Sequence, residues 1–211
     1  MESNLLSPEF MRRPRIAKGA ILLVRPNPDG TVSDSNGLVV IFQYNPDVLT
    51  RIISSINGEA VSNGEGKNHG DNSIVEQISL NLEFDATDQL EHPEQHRNNI
   101  QNGLHPILAA LESIMYSQSK TEDPNSPIIF FIWGPNRSIP VWINCFKITE
   151  TVFDSNLNPI RARIEINMRV RELSEFKKGS PGYNICKSQL NRRQIFTQIY
   201  SAITKDKFEF P

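Results

Sequence analysis

The chain is poor in cysteine, in net charge and in long apolar runs, and each shortage removes a class of answer. Two cysteines in 211 residues, Cys145 and Cys186, cannot build a disulfide framework and fit a reducing compartment. No apolar run approaches the roughly 20 residues of a membrane helix, and the stretch before Gly19 lacks the apolar middle of a signal peptide. The expectation is a soluble cytoplasmic protein without direct membrane insertion. A net charge of -2 leaves no basic excess to hold the whole molecule on nucleic acid. Hydrophobic residues reach only 38%, which implies a core carrying long polar loops. The length suits one domain with appendages.

Chemistry-bearing constellations are scarce as well. His92 and His96 have the spacing of two ligands on one helix face, but Pro93 lies between them and no third ligand gathers nearby. Gly64-Glu65-Gly66-Lys67 is too short for a phosphate loop, and Asn68 stands where Ser or Thr would be needed. Cys145 sits in an apolar stretch and Cys186 beside Lys187, with no histidine placed to activate either thiol. Asp85 and Asp88 form an acidic pair that nothing separates from a solvated turn. The reading is a non-enzyme with no catalytic residue, no cofactor and no metal.

What the chain does have is β pattern. Residues 20–25 and 38–44 read as strands around a Pro-Asn-Pro-Asp-Gly turn, and 47–54 as a further extended piece. Residues 74–84 alternate, with Ile74, Ile78, Leu80, Leu82 and Phe84 on one face. Residues 127–133 are apolar throughout, as a strand covered on both faces requires. Residues 141–149 and 160–170 form a hairpin about the 154–159 turn. Helical spacing occurs at 105–115 and again at 188–204. The Gly- and Asn-rich stretch 57–72 reads as a mobile loop, and 85–102 as a polar loop with turns. The organisation is a flexible N-terminus (1–16), a β domain (17–175) and a partly helical C-terminal arm (176–211). The fold class is mainly β with one flanking α-helix, a β-sandwich or partly closed barrel.

The clearest alternation runs from Ile160 to Val170. Ile160, Ala162, Ile164, Ile166, Met168 and Val170 share one face; Arg161, Arg163, Glu165, Asn167 and Arg169 share the other, with Arg171 beyond. Three uses of the arginine face compete. Nucleic-acid binding lacks interleaved aromatics and the basic balance it needs. A solvated face is open. A protein–protein face is favoured, because arginine is enriched at interfaces and pairs bidentately with carboxylates.

The segments 41–51, 84–90, Phe131-Ile132-Trp133-Gly134 and 153–162 come in an order that resembles the tube-like adaptor proteins of contractile injection systems, phage-tail-like machines with a sheath around a rigid tube. The resemblance covers roughly residues 17–175 and is carried by Phe42, Gln43, Tyr44, Asn45, Pro46, Asp85, Trp133, Asn158, Pro159 and Arg161. It implies a tail-tube-like barrel subunit in a homohexameric ring, with the inner tube protein, a cap and the sheath as partners. Baseplate members of the family carry a peptidoglycan-binding LysM-type module after this domain, whereas residues 177–211 form only a short arm rich in Lys, Arg and Gln. The resemblance therefore points to the adaptor at the cap end, with a baseplate-side adaptor or tube initiator as the alternative. On this reading the hairpin strands line an inner barrel, and Arg161, Arg163, Arg169 and Arg171 face the lumen or an acidic patch on a neighbour. Tyr183, Ile195, Phe196, Ile199, Tyr200, Phe208 and Phe210 of the arm carry partner contacts or pack back on their own domain. A small-ligand or nucleic-acid-binding barrel is the competing class, with no titratable constellation to support it.

Overall fold

The computed structural model describes residues 17–26, 37–56, 73–87, 101–118 and 126–204. The N-terminus 1–16, the loop 57–72, residues 88–100 with His92 and His96, and the tail with Phe208 and Phe210 lie outside the described residues, as does the Gly64–Lys67 stretch. The elements in order are β1 (Gly19–Val24), β2 (Leu38–Ile41), β3 (Leu49–Ile56), β4 (Ser73–Asp85), α1 (His105–Tyr116), β5 (Ile128–Trp133), β6 (Ser138–Phe153), β7 (Pro159–Val170) and α2 (Pro181–Thr204), with a 3-10 turn at Leu173–Glu175. All seven strands join one antiparallel sheet in the order β2-β1-β5-β6-β7-β4-β3.

Period-2 alternation places one face of β4 and β7 in the core: Ile78, Leu80, Leu82 and Phe84 from β4, and Ala162, Ile164, Ile166 and Met168 from β7. Side chains of this kind each contribute about 1.5–3 kcal/mol when removed from water. β5 does not alternate because both of its faces are covered. Ile129 and Phe131 enter the main core, while Ile128 and Phe130 form a second cluster with Val24, Phe176 and Ile185.

The sheet wraps round its core as a partly closed barrel. Just past edge strand β2, the Gln43 side-chain amide donates from Nε2 to the Asp85 carbonyl (2.7 Å) and accepts from the Asp85 N–H at Oε1 (2.8 Å). Asp85 ends β4, second from the opposite edge. Gln43 thus acts as one rung of a ladder between two distant strands, satisfying both backbone groups. Phe42 beside it is wholly buried and packs on Phe131 and Trp133 at centroid distances of 6.5 Å each.

Helix α1 closes the core through Leu108, Leu111 and Ile114, with Leu104 at its N-cap. Pro106 in the first turn costs no hydrogen bond there. Gly103 enters the helix with φ +53, and an added Cβ would lie 2.4 Å from the Pro159 carbonyl oxygen. That carbonyl accepts from the Leu104 N–H (2.7 Å), tying the helix start to the start of β7. At the other end Gln118 repeats the Gln43 device, bonding both the N–H (2.6 Å) and the carbonyl (3.0 Å) of Ile143. The β6–β7 register shifts between Ile143 and Cys145, and Gln118 supplies partners beside that irregularity.

The arm begins its helix earlier than the spacing of its apolar residues indicates. Pro181-Gly182 reads as a breaker, yet proline is tolerated at a helix start. Gly182 presses against Phe176 so closely that an added Cβ would sit 2.4 Å from a ring carbon.

Candidate interaction surface

The polar face of β4, β7 and β6 is an ordered set of charge pairs. In register, Arg163 stands opposite Glu83, Arg161 opposite Asp85, and Lys147 opposite Glu165. Arg163 Nη2 reaches Glu83 Oε1 at 2.6 Å, Arg161 Nη2 reaches Asp85 Oδ2 at 2.5 Å, and Lys147 Nζ reaches Glu165 Oε1 at 2.7 Å. Three cations meet three carboxylates, so this patch has no net charge. Burial alone would raise the Asp85 carboxyl, but hydrogen bonds from Thr87 and Arg161 outweigh it and hold its pKa below the ordinary value.

The acids that the arginine row requires therefore lie in the same chain. Arg169 and Arg171 point to a different carboxylate, Glu175, with Arg169 bidentate at 2.6 and 3.1 Å. Arg171 is largely covered, its guanidinium 4.2 Å from the Phe176 ring centroid and 5.8 Å from that of Trp142.

Several of the marked residues meet at one junction. Gln43 clamps Asp85, Asp85 binds Arg161, and Gln43 also reaches the Tyr44 hydroxyl at 3.4 Å. Asn45 holds β1, accepting from the Gly19 N–H and donating to the Ala17 carbonyl, both at 2.8 Å. Trp133 stacks on Phe131. Asn158 donates to Asp154 Oδ2 at 2.9 Å and to the Gln101 carbonyl at 3.2 Å. Pro46 lies in the bend after β2, beside Tyr44 and Asn45 on a shallow concave surface that Arg163 also reaches. Most of these positions hold tertiary junctions together. Tyr44 is half exposed and borders the charge-paired face.

The arm behaves differently. Gly182 and Cys186 are the buried residues of α2, and Tyr183 is half-buried near its start. Leu190, Ile195, Phe196, Ile199, Tyr200 and Ile203 are 41–69% exposed. Two arginines hold the helix to the body: Arg192 to the Pro135 carbonyl (2.7 Å) and Arg193 to Glu76 (2.6 Å). Glu76 is the buried charged residue and also holds Arg51 at 2.6 Å. Sequence reading missed Glu76, which falls on the apolar-face parity of β4 and whose partners lie 25 and 117 positions away.

The thiols are placed oppositely to what their neighbours in sequence indicate. Cys145 is exposed on β6, whereas Cys186 is buried and burial pushes its pKa up, away from thiolate chemistry. Among the described residues no three His, Cys, Asp or Glu side chains gather to hold a metal, and no helix is long and apolar enough to cross a membrane.

A wrapped antiparallel sheet whose edge strands β2 and β3 each have one strand partner among the described residues, a charge-balanced polar face and a helix with exposed apolar side chains fit a β-rich assembly subunit. The chain belongs to the contractile injection system tube protein family, whose sequence profile matches residues 20–178. No curated protein matches the sequence. Solved structures with similarity include the virion of a native gene transfer agent particle and the tail of an empty gene transfer agent particle with C6 symmetry. Each is 12% identical, with 72% of this chain and 91% of that chain covered at a TM-score of 0.31. Likeness at that score carries no argument about the placement of elements. The family is described as a tube protein, a structural component rather than an enzyme class.

Proposed function

We propose that this chain forms an adaptor ring at the end of the inner tube of a contractile injection system, joining the terminal tube ring to a cap and stopping tube growth. The observation that carries this reading is α2. It begins at Pro181, just past the family-matched span ending at 178, and presents six exposed large apolar side chains. A tube subunit that stacks on itself needs two matching faces, whereas a terminator must keep one face and change the other. An apolar helix appended to a tube fold changes one face. The ring closes as a homohexamer through the free edges β2 and β3, with the charge-paired β4–β7–β6 face toward the lumen. Assembly takes place in the cytoplasm and needs neither nucleic acid nor membrane.

The test is mass photometry and electron microscopy of the purified chain, alone and with the tube protein of its own system. A closed ring seated on tube ends supports the proposal, and a monomer indifferent to the tube sinks it. Deleting 187–211 should leave a folded ring that binds the tube but no longer binds the cap. Rings found at the baseplate end would instead make the chain a tube initiator.

A further inference from the structure

The β6–β7 turn is tightly built and yet carries a residue unsuited to it. The Asp154 N–H donates to the Asn158 carbonyl (3.0 Å), the Asn158 N–H to Asp154 Oδ1 (2.8 Å) and the Asn158 side chain to Asp154 Oδ2 (2.9 Å). Asn158 also reaches the Gln101 carbonyl, and the Pro159 carbonyl takes the Leu104 N–H, so the turn is fastened to the start of α1. At its tip Leu157 has φ +65, in the left-handed region that glycine and asparagine adopt at least cost. Asparagine stands on either side, at 156 and 158, but leucine holds the strained position. At 77% exposure, packing within the described chain repays little of that strain. Val152 and Phe153, just before the turn, are 41% and 47% exposed, and every β6 residue from Thr149 onward is exposed. The hairpin end is a rigid, apolar projection.

The two ends of β7 are opposites. Its first residue, Pro159, pairs with Phe153 at the projection. Its last, Val170, lies about 36 Å of strand away at 3.3 Å per residue, beside an apolar hollow shared with Ile139, Pro140 and Leu173. Subunits that stack head to tail need a projection at one end and a hollow at the other. In this chain the first turns of α2 lie across the hollow, with Cys186 buried there and Arg193 held to Glu76. The arm therefore blocks the hollow end against a further copy, while the projection at the other end stays bare.

We propose that the β6–β7 tip seats the ring on the tube, with Leu157, Phe153 and Val152 entering an apolar hollow on the last tube subunit. The inference rests on the adaptor reading and deepens it by naming the residues of the retained face. The partner is a subunit of the same family, because the projection is matched by the kind of hollow that this fold forms at its own far end. The cap is served by α2, at the opposite end of β7. Leu157 leaves water only on docking, so its backbone strain is repaid by the contact between rings and not by folding.

The experiment counts, by electron microscopy, tube ends decorated at increasing concentrations of the full chain, with mass photometry and thermal melts on the same samples. Leu157→Asn should keep a closed ring and a thermal midpoint at or above that of the parent. It should nevertheless need at least about tenfold more protein to occupy half the tube ends, since each subunit of the ring loses an apolar contact. Phe153→Ser should weaken seating in the same direction, and Leu157→Met, which keeps an apolar side chain of similar volume, should restore it. A Leu157→Asn variant that seats like the parent overturns the proposal and leaves the adaptor reading standing. So does a variant that loses ring closure or cap binding in place of tube binding, because the tip then faces another partner. A parent chain that never seats on the tube overturns both.

Discussion

Gln43 binds Asp85 through both of that residue's backbone polar groups, and so stitches the end of β2 to the end of β4 across four intervening strands in sheet order. A single side chain thereby converts an open sheet into a partly closed one. Gln43→Ala removes both bonds and leaves two half-buried backbone groups to water, which should lower stability by about 1–3 kcal/mol in urea unfolding. Gln43→Glu keeps the size but loses the donor, and sets a carboxylate against the Asp85 carbonyl. It should be no better than alanine; stability equal to the parent would show that closure does not depend on this clamp.

The Arg163–Glu83 pair is geometrically good and energetically small. Both side chains are more than half exposed, and exposed pairs couple by about 0.2–1 kcal/mol. A double-mutant cycle with Arg163→Ala and Glu83→Ala should return a coupling in that range, falling as salt rises. Arg163→Glu alone puts like charges in directly opposed positions and should be worse than alanine. The exchanged pair, Arg163→Glu with Glu83→Arg, should recover most of the loss. A coupling above about 2 kcal/mol would mean the face is far less solvated than its exposure indicates.

Much of this arrangement was readable in the chain, but only one strand at a time. Alternation fixes which side of β7 carries Arg161 and Arg163, and which side of β4 carries Ile78 to Phe84. It cannot say that these two strands are neighbours, because 76 to 80 positions separate the paired charges. The α2 start was hidden for a different reason. A Pro-Gly pair is a turn signal in isolation, and only the Phe176 ring against Gly182 shows why glycine belongs inside this helix. Glu76 lay in a run that reads as core, and its two arginines are supplied by another strand and a distant helix.

Leu157 sits at φ +65 in the β6–β7 turn, a conformation that strains a non-glycine residue, and it is 77% exposed. Asp154 sets the turn, accepting from the N–H groups of Asn156 and Asn158 at 2.8 Å each. Leu157→Gly and Leu157→Asn should therefore each raise the thermal midpoint, worth about 0.5–1 kcal/mol, since both tolerate the left-handed region. If neither variant gains stability, the exposed leucine must be repaying its strain through a contact within the hairpin.

Among the described residues Glu175, Asp85 and Asp154 have carboxyls held below the ordinary value, and Glu175 is the most enclosed of the three. Burial works to raise the Glu175 carboxyl, but the Arg169 hydrogen bonds and the Glu172 N–H outweigh it, and the net pKa is lowered. A carboxylate whose folded pKa lies below its unfolded value contributes fully above the unfolded pKa. That contribution disappears as pH falls through the folded value. Stability should therefore be flat near neutrality and decline below about pH 4. Glu175→Gln should lower the neutral plateau and flatten the acid decline. An acid limb of unchanged steepness would assign the sensitivity to other carboxylates.

Arg193 is the last residue of α2 with a hydrogen bond or ion pair to the rest of the described body. Beyond it the helix runs from Gln194 to Thr204, a length of about 16 Å at 1.5 Å per residue. Isolated helices shorter than about 12–15 residues are marginal in water. The outer segment therefore has almost no folding reserve of its own, and its backbone amides should exchange with solvent orders of magnitude faster than those of β5 or β7. Whatever seats against Ile195 and Ile199 must also supply the ordering energy of the helix that meets it. If the proposed docking through this helix holds, attachment and helix formation become one event, and deuterium uptake in this segment should fall when a partner binds.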